Sequence, residues 1–150
     1  MMVLQALILI FVGHFLAALI VYANHRFVFH GKLGRFPILR KIHLKHALHH
    51  AHTSGISLKK HIFAPLWAQI GFVILYACIG YFVSVPLVIG LISFSIYYAH
   101  THLKIHTKKI GSHAYWHHRH HHRHPNVNFS GMYPFIDRTF STYTESRPRL

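Results

Sequence analysis

Two long stretches of the chain contain no charged residue, and they restrict the possible folds more than any other feature. The first stretch covers residues 1–23, and the second covers residues 62–103. At about 1.5 Å per residue, a helix of about 20 residues crosses the roughly 30 Å of hydrocarbon in a bilayer. The first stretch therefore predicts a membrane helix. A cleaved signal peptide is disfavoured because no basic residue precedes the apolar run.

The second charge-free stretch is long enough for two helices and has a break near its middle. Pro86 follows Ser84 and Val85, and proline removes a helix donor and suits a turn. We predict a hairpin with arms at residues 62–83 and 85–103. Polar residues from His100 onward leave open a shallow penetration of the returning arm instead of a full crossing.

The distribution of charge indicates a membrane protein and its orientation. The chain has 16 Lys and Arg but only two acidic residues, Asp137 and Glu145, for a formal net charge of +14. Such a charge suits nucleic acids or anionic membranes. The basic residues are confined to residues 26–60 and 104–149, which favours a membrane protein over a nucleic-acid binder. By the positive-inside rule both basic segments are cytoplasmic.

These patterns predict an all-α integral membrane protein that forms a single domain over residues 1–150. About three helices enter the membrane, and a cytoplasmic helical cap carries the histidine-rich segments. Cys78 is the only cysteine, so no internal disulfide is possible.

Histidines are the most unusual residues of the chain, which has 19 of them. The pattern H-x-x-H-H occurs at His46, His49 and His50 and again at His117, His120 and His121. Residues i, i+3 and i+4 share one face of a helix, so three imidazoles can converge in each copy. His102 and His106 have the i, i+4 spacing with which one helix grips a metal.

A fourth pair, His25 and His30, is spaced i, i+5 and diverges on a regular helix. The two rings can converge only if the helix ends or bends near Gly31. His14 lies eleven residues before His25, about 16 Å away along a helix, and is expected to pack or to make a polar contact with another helix.

The metal is left open by the ligand type, because neutral imidazole suits zinc, copper, iron and nickel. Ten histidines are too many for one ion and reasonable for two. The other histidines are expected on the surface, around the ligands or facing a substrate: His43, His52, His61, His100, His113, His118, His122 and His124.

The order of these motifs resembles the fatty acid hydroxylase/sterol desaturase superfamily. The matching segments are H-R-F-V-F-H (25–30), H-A-L-H-H (46–50), H-L-K-I-H (102–106), H-H-R-H-H (117–121) and N-F-S-G-M-Y-P-F-I-D-R-T-F-S-T (128–142). Within the superfamily they are most similar to fatty acid 2-hydroxylases that act on sphingolipid acyl chains. The tail departs from the family pattern at Ile136, where the family has Trp, and at Ser130 and Ser141, where it has Gly.

The resemblance implies a metal centre of two iron ions, with zinc able to substitute for them. Its implied ligands are His25, His30, His46, His49, His50, His102, His106, His117, His120 and His121. Asp137 matches the family's aspartate and is expected behind the ligands or paired with a nearby arginine.

The resemblance also implies hydroxylation of a fatty acyl or sphingolipid chain with dioxygen and two electrons. The expected partners are a lipid substrate, the membrane and a separate electron donor, either a reductase or a small haem or iron–sulfur carrier, and no nucleic acid. The chain is expected to be a multi-pass membrane protein, located in the endoplasmic reticulum membrane if it is eukaryotic and in the inner membrane if it is bacterial. Two alternatives stay open: a sterol or carotenoid hydroxylase or desaturase, and a non-enzymatic metal-binding membrane protein.

Overall fold

A computed structural model describes residues 2–51, 66–107 and 112–145, and every regular element within them is helical. The α-helices of this part of the chain are α1 (Met2–Ala23), α2 (Pro37–Ala51), α3 (Leu66–Phe82), α4 (Val85–Thr107), α5 (His113–Arg123) and α6 (Pro134–Thr139). A π-helical turn, Asn24–Phe29, continues α1, and a 3-10 turn, Lys32–Arg35, leads into α2. The predicted all-α class is confirmed.

The predicted hairpin break is present. Helix α3 ends at Phe82, and α4 begins at Val85, with Pro86 in its first turn, where the missing N–H costs nothing. The first arm was predicted from Ile62, and residues 62–65 lie outside the described residues. Helix α4 runs on to Thr107, past the predicted end at residue 103, and this extension carries His106.

Helices α1 and α4 cross closely because each has a glycine at the crossing. A Cβ on Gly13 would lie 2.1 Å from the carbonyl oxygen of Leu87, and a Cβ on Gly90 would lie 2.1 Å from that of Ile10. Only glycine permits this backbone approach. A core that includes Leu91 at 0% exposure packs beside the crossing.

The outer face of α1 is apolar and exposed. Phe11 is 73% exposed and Leu4 is 64% exposed. Within residues 2–51, 66–107 and 112–145, one helical segment, Met2–Phe29, is long and apolar enough to cross a bilayer by length and composition. Three membrane-inserted helices and a cytoplasmic cap stay predictions.

The histidine-rich helices α2 and α5 gather beside the ends of α1 and α4. Ser112 caps α5, its hydroxyl accepting a hydrogen bond from the backbone N–H of Tyr115 at 3.2 Å. After α5 the chain turns back. Asn128 N–H donates to the Thr142 carbonyl at 2.8 Å, and the Asn128 side chain bonds both backbone groups of Thr144. The resulting loop presses residues 127–130 against the histidines.

Candidate metal centre

Five histidines from three segments of the chain, the π turn, α2 and α5, direct their ring nitrogens to one point. The first group consists of His25, His30, His46, His50 and His121, whose ligand atoms all lie within 4.8 Å of one another. His46 Nε2 lies 3.1 Å from His25 Nε2, 2.9 Å from His30 Nε2 and 3.0 Å from His50 Nε2. His121 Nε2 lies 3.1 Å from His30 Nε2 and 3.2 Å from His50 Nε2. Five nitrogens thus surround one small volume.

The π-helical turn explains how His25 and His30 reach the same group. The backbone N–H of His30 donates to the carbonyl of His25 at 3.1 Å, an i→i+5 bond that widens the turn. Residues five apart then lie on one face, and the two rings are 5.1 Å apart. The expected end of the helix near Gly31 is also present. The π turn itself was not anticipated from the spacing.

Two backbone carbonyls hold two rings of the first group in one tautomer. His25 Nδ1 donates to the Phe129 carbonyl at 2.6 Å, and His121 Nδ1 donates to the Val127 carbonyl at 2.7 Å. Since a carbonyl only accepts, the proton is on Nδ1, and the lone pair of each ring is on Nε2. This is the arrangement in which a histidine ligates a metal.

A second group of five histidines lies beside the first. Its members are His49, His102, His106, His118 and His122, again with ligand atoms within 4.8 Å of one another. His106 Nε2 lies 3.2 Å from His102 Nε2 and 3.0 Å from His118 Nε2. His118 Nε2 and His122 Nε2 are 2.9 Å apart. Helices α2, α4 and α5 each supply members.

The two groups are in contact. The ring of His50 in the first group stacks on that of His122 in the second, with centroids 4.2 Å apart. Helix α2 serves both groups through the adjacent residues His49 and His50, and α5 does so through His121 and His122. Two ions held in these groups would therefore be near neighbours.

Burial holds the rings neutral. Desolvation, reinforced by neighbouring histidines, lowers the pKa of His30 to about 4. Desolvation likewise lowers the pKa of His50 to about 4 and that of His121 to about 3. The pKa values of His46, His118 and His122 are also lowered, mainly by desolvation. Neutral imidazole is the form that binds metals, so no proton must be displaced at neutral pH.

The spacing of the nitrogens fits metal ions. Two nitrogens bound at about 2.1 Å to one ion, about 90° apart, lie about 3 Å from each other. The short contacts of both groups measure 2.9–3.2 Å. When all the Nε2 atoms of a group are unprotonated, as metal binding requires, their lone pairs face one another and repel. A cation between them reverses the sign of the interaction. An all-imidazole donor set suits zinc, copper, iron and nickel.

Eight of the ten predicted ligands lie in the two groups, and the other two, His117 and His120, do not. His118 and His122, which were expected to be surface, substrate-facing or supporting residues, take the corresponding places. Helix α5 contains H-x-x-H-H in two registers, at 117, 120 and 121 and at 118, 121 and 122, and both satisfy helical spacing. The packing of α5 selects the second register because buried Tyr115 shares a face with His118 and His122.

The two excluded histidines have different surroundings. His120 is half-buried, and its ring lies 4.5 Å from that of His124. His117 is fully buried, and its Nε2 lies 2.9 Å from Asp137 Oδ2. Of the other histidines, His52 and His61 lie outside the described residues.

Asp137 is a fully buried carboxylate that binds the loop behind the first group. Its Oδ2 accepts hydrogen bonds from His117 Nε2 and from Ser130 N–H at 3.0 Å, and its Oδ1 accepts one from Thr142 Oγ1 at 2.7 Å. Burial would raise the pKa of Asp137, but these three hydrogen bonds outweigh it and lower the pKa. Asp137 was expected either behind the ligands or paired with an arginine. Within the described residues its carboxylate is hydrogen-bonded to His117, Ser130 and Thr142 and to no arginine.

His14 makes polar contacts with two other elements, as expected. Its Nδ1 lies 2.8 Å from Ser93 Oγ on α4, and its Nε2 lies 2.9 Å from the Tyr133 hydroxyl just before α6. The residue therefore links three parts of the fold away from both histidine groups.

Comparison with protein families identifies a family that this chain matches over most of its length. The model of the family described as fatty acid hydroxylase matches residues 10–142, most of the chain, and this range includes every member of both histidine groups. Comparisons with curated proteins and with solved structures give no match.

Proposed function

We propose, from the premise that this chain belongs to the fatty acid hydroxylase family, that it is a membrane di-iron oxygenase. In this proposal the enzyme hydroxylates the fatty acyl chain of a lipid, and a sphingolipid acyl chain is the favoured substrate. The observation that carries the proposal is the pair of adjoining five-histidine groups. Family membership implies an oxidoreductase. The two groups provide two candidate metal sites whose histidine rings contact each other.

Each group has a separate part in the proposal. The first, from the π turn, α2 and α5, would hold one iron ion, and the second, from α2, α4 and α5, would hold the other. When bound, the iron pair supplies the activation of dioxygen with two electrons from an external donor. The overall reaction balances as R–H + O2 + 2e⁻ + 2H⁺ → R–OH + H2O.

The protein's own part is to hold the ligands rigidly and to exclude water. Buried rings in fixed tautomers lose little freedom when a metal binds, so the site is pre-organised. Both carboxylates of the chain lie outside the two groups, since Asp137 bonds to the loop and Glu145 is exposed. Ten neutral ligands leave the positive charge of the ions uncompensated, which favours electron uptake.

The place of the first group relative to α1 supports a lipid substrate. His25 lies in the last turns of the apolar segment Met2–Phe29, and His30 directly follows it. If this segment spans the bilayer, the metal centre lies at the membrane surface, where an acyl chain reaches it without leaving the lipid. The basic segments then face the cytoplasm, where a soluble or membrane-bound electron donor docks.

Isotope labelling tests the proposed function. The purified protein, loaded with iron and supplied with a reductase system, is incubated with lipid under ¹⁸O2, and the lipids are analysed by mass spectrometry. We expect a product one ¹⁸O atom heavier than the substrate. His46→Ala and His106→Ala, one from each group, should abolish it, whereas His124→Ala, an exposed histidine outside both groups, should retain it.

The alternative functions predict different results in the same assay. Loss of two hydrogens without oxygen incorporation would indicate a desaturase, and a hydroxylated sterol or carotenoid would indicate another substrate class. No oxidised lipid with a fully iron-loaded protein would contradict the proposal and favour a metal-binding protein without enzymatic activity.

A further inference from the structure

A single peptide group connects the buried carboxylate of Asp137 to the first histidine group. The Phe129 carbonyl and the Ser130 N–H belong to the same planar peptide unit. The N–H donates to Asp137 Oδ2 at 3.0 Å, and the carbonyl accepts from His25 Nδ1 at 2.6 Å. A continuous hydrogen-bonded chain therefore runs from the carboxylate through one peptide to the ring of His25.

The Val127–Asn128 peptide, two peptides earlier in the chain, makes a parallel connection without a charge. The Val127 carbonyl accepts from His121 Nδ1 at 2.7 Å, and the N–H of the same peptide, on Asn128, donates to the Thr142 carbonyl at 2.8 Å. Thr142 is in turn bound to Asp137 through its hydroxyl and its N–H. Both tautomer-fixing carbonyls thus depend on the region around Asp137.

We infer that Asp137 is a positioning residue for metal binding, acting on His25 through the Phe129–Ser130 peptide. Its role rests on the proposed function, in which His25 is a ligand. The carboxylate fixes the plane of the peptide and polarises it, so that the carbonyl accepts more strongly from Nδ1. His25 then presents a more basic Nε2 in one orientation. His117 supports the carboxylate, which gives this buried histidine a role away from the metals.

The effect is specific to one group. Among the described residues, the carbonyls of the 127–129 segment accept from His25 and His121, both members of the first group, and from no ring of the second group. Loss of Asp137 should therefore weaken one metal site and leave the adjoining one nearly unchanged. General unfolding would weaken both.

Zinc titration of the full chain in detergent tests the inference. The first group is measured in the His102→Ala/His106→Ala background, and the second in the His30→Ala/His46→Ala background. We expect Asp137→Asn to lower zinc affinity of the first group about 10- to 100-fold, the range for losing the outer partner of a ligand. The second group should keep its affinity, and Glu145→Gln, which removes the other acidic charge, should change neither.

A milder pair of variants covers the case in which Asp137→Asn does not fold. Thr142→Val removes one hydrogen bond to Asp137 Oδ1 and should lower the zinc affinity of the first group, while Thr142→Ser should retain it. The ¹⁵N and ¹H signals of His25 Nδ1 in the zinc-loaded protein should shift toward a weaker hydrogen bond in Thr142→Val and not in Thr142→Ser.

The outcomes separate this inference from the proposed function. Unchanged affinity of the first group in Asp137→Asn, or an equal loss in both groups, overturns the positioning role while the metal centre stands. If the protein with Asp137 and Thr142 intact binds zinc at neither group, both the positioning role and the proposed function are overturned.

Discussion

At the scale of single residues, the proposed metal centre depends on histidines that remain neutral in a crowded, buried space. Desolvation by burial lowers the pKa of His30 and that of His50 to about 4, which favours the unprotonated rings at neutral pH. The lone pairs of His25 and His121 are directed inward by hydrogen bonds from their opposite nitrogens to backbone carbonyls. Substitution of one of these histidines therefore removes a ligand, and a water molecule cannot take the position of the lost nitrogen.

Substitutions in α5 distinguish the ligand register. His122→Ala should lose the metal of the second group and lower lipid oxidation by more than about 100-fold. Loss of a residue that only hydrogen-bonds a metal ligand lowers metal affinity or activity by up to about 100-fold, and loss of a ligand itself should cost more. His120→Ala should retain both metal and activity, because its ring lies beside His124 and outside both groups. Metal analysis and product formation are measured at equal protein levels in the membrane. The reverse result, with His120 essential and His122 dispensable, would support the register at 117, 120 and 121.

The sequence predicts the members of the centre on α2 and α4 but not the register on α5. His46, His49 and His50 have one helical register, so their spacing leaves no choice. The stretch H-H-R-H-H-H at 117–122 contains the same motif twice, one residue apart. Which copy faces inward depends on how Tyr115 packs against α4 and the tail, and this is a tertiary contact with no local signal.

At the scale of secondary-structure elements, two irregular features place the ligands. The π turn converts an i, i+5 spacing into a shared face, and the glycine crossing brings α1 and α4 together. The break near Pro86 and the end of the helix near Gly31 follow from local chemistry and were predicted, whereas α4 extends four residues past its predicted end at residue 103. The π turn was not predicted, because its wider hydrogen-bond ring is rare and no local sequence pattern indicates it.

Alanine substitution tests the crossing of α1 and α4. Gly90→Ala places a methyl carbon 2.1 Å from the Ile10 carbonyl oxygen, so the helices must separate. We expect a loss of at least about 1–3 kcal/mol in the free energy of unfolding, as for overpacked cores. The thermal unfolding midpoint of the purified protein in detergent should fall accordingly.

Gly71→Ala is the matched control. Gly71 lies in α3, and a Cβ there meets nothing within 4 Å in the described part of the chain. Alanine is the better helix former by up to about 1 kcal/mol, so the midpoint should stay the same or rise. Equal midpoints for Gly90→Ala and the unsubstituted protein would contradict the close crossing.

At the scale of the whole molecule, the proposed orientation in the membrane rests on the charge distribution and the apolar segments. All 16 basic residues lie at residues 26–60 and 104–149, and these segments also carry eight of the ten grouped histidines. The other two, His25 and His102, lie one and two residues before them. Helix α1 exposes large apolar side chains on its outer face, as a lipid-facing helix does. The proposal therefore places the metal centre on the cytoplasmic side, at the membrane surface.

Reporter fusions test this topology. A reporter inserted at Ser84, in the turn between α3 and α4, should be active on the non-cytoplasmic side, as should one at the N-terminus, because neither region carries a basic residue. A reporter after Glu145 should be cytoplasmic. A cytoplasmic signal at Ser84 would contradict a hairpin that crosses the membrane and favour shallow insertion of its second arm.

The iron content of the purified protein is the decisive measurement for the proposal that two adjoining histidine groups each hold a metal ion. We expect two iron ions per chain. His46→Ala and His106→Ala, which each remove a ligand of one group, should each leave about one ion, and His124→Ala should leave two. Binding of a single ion per chain would contradict the proposal of two metal sites. So would an iron content that neither His46→Ala nor His106→Ala changes.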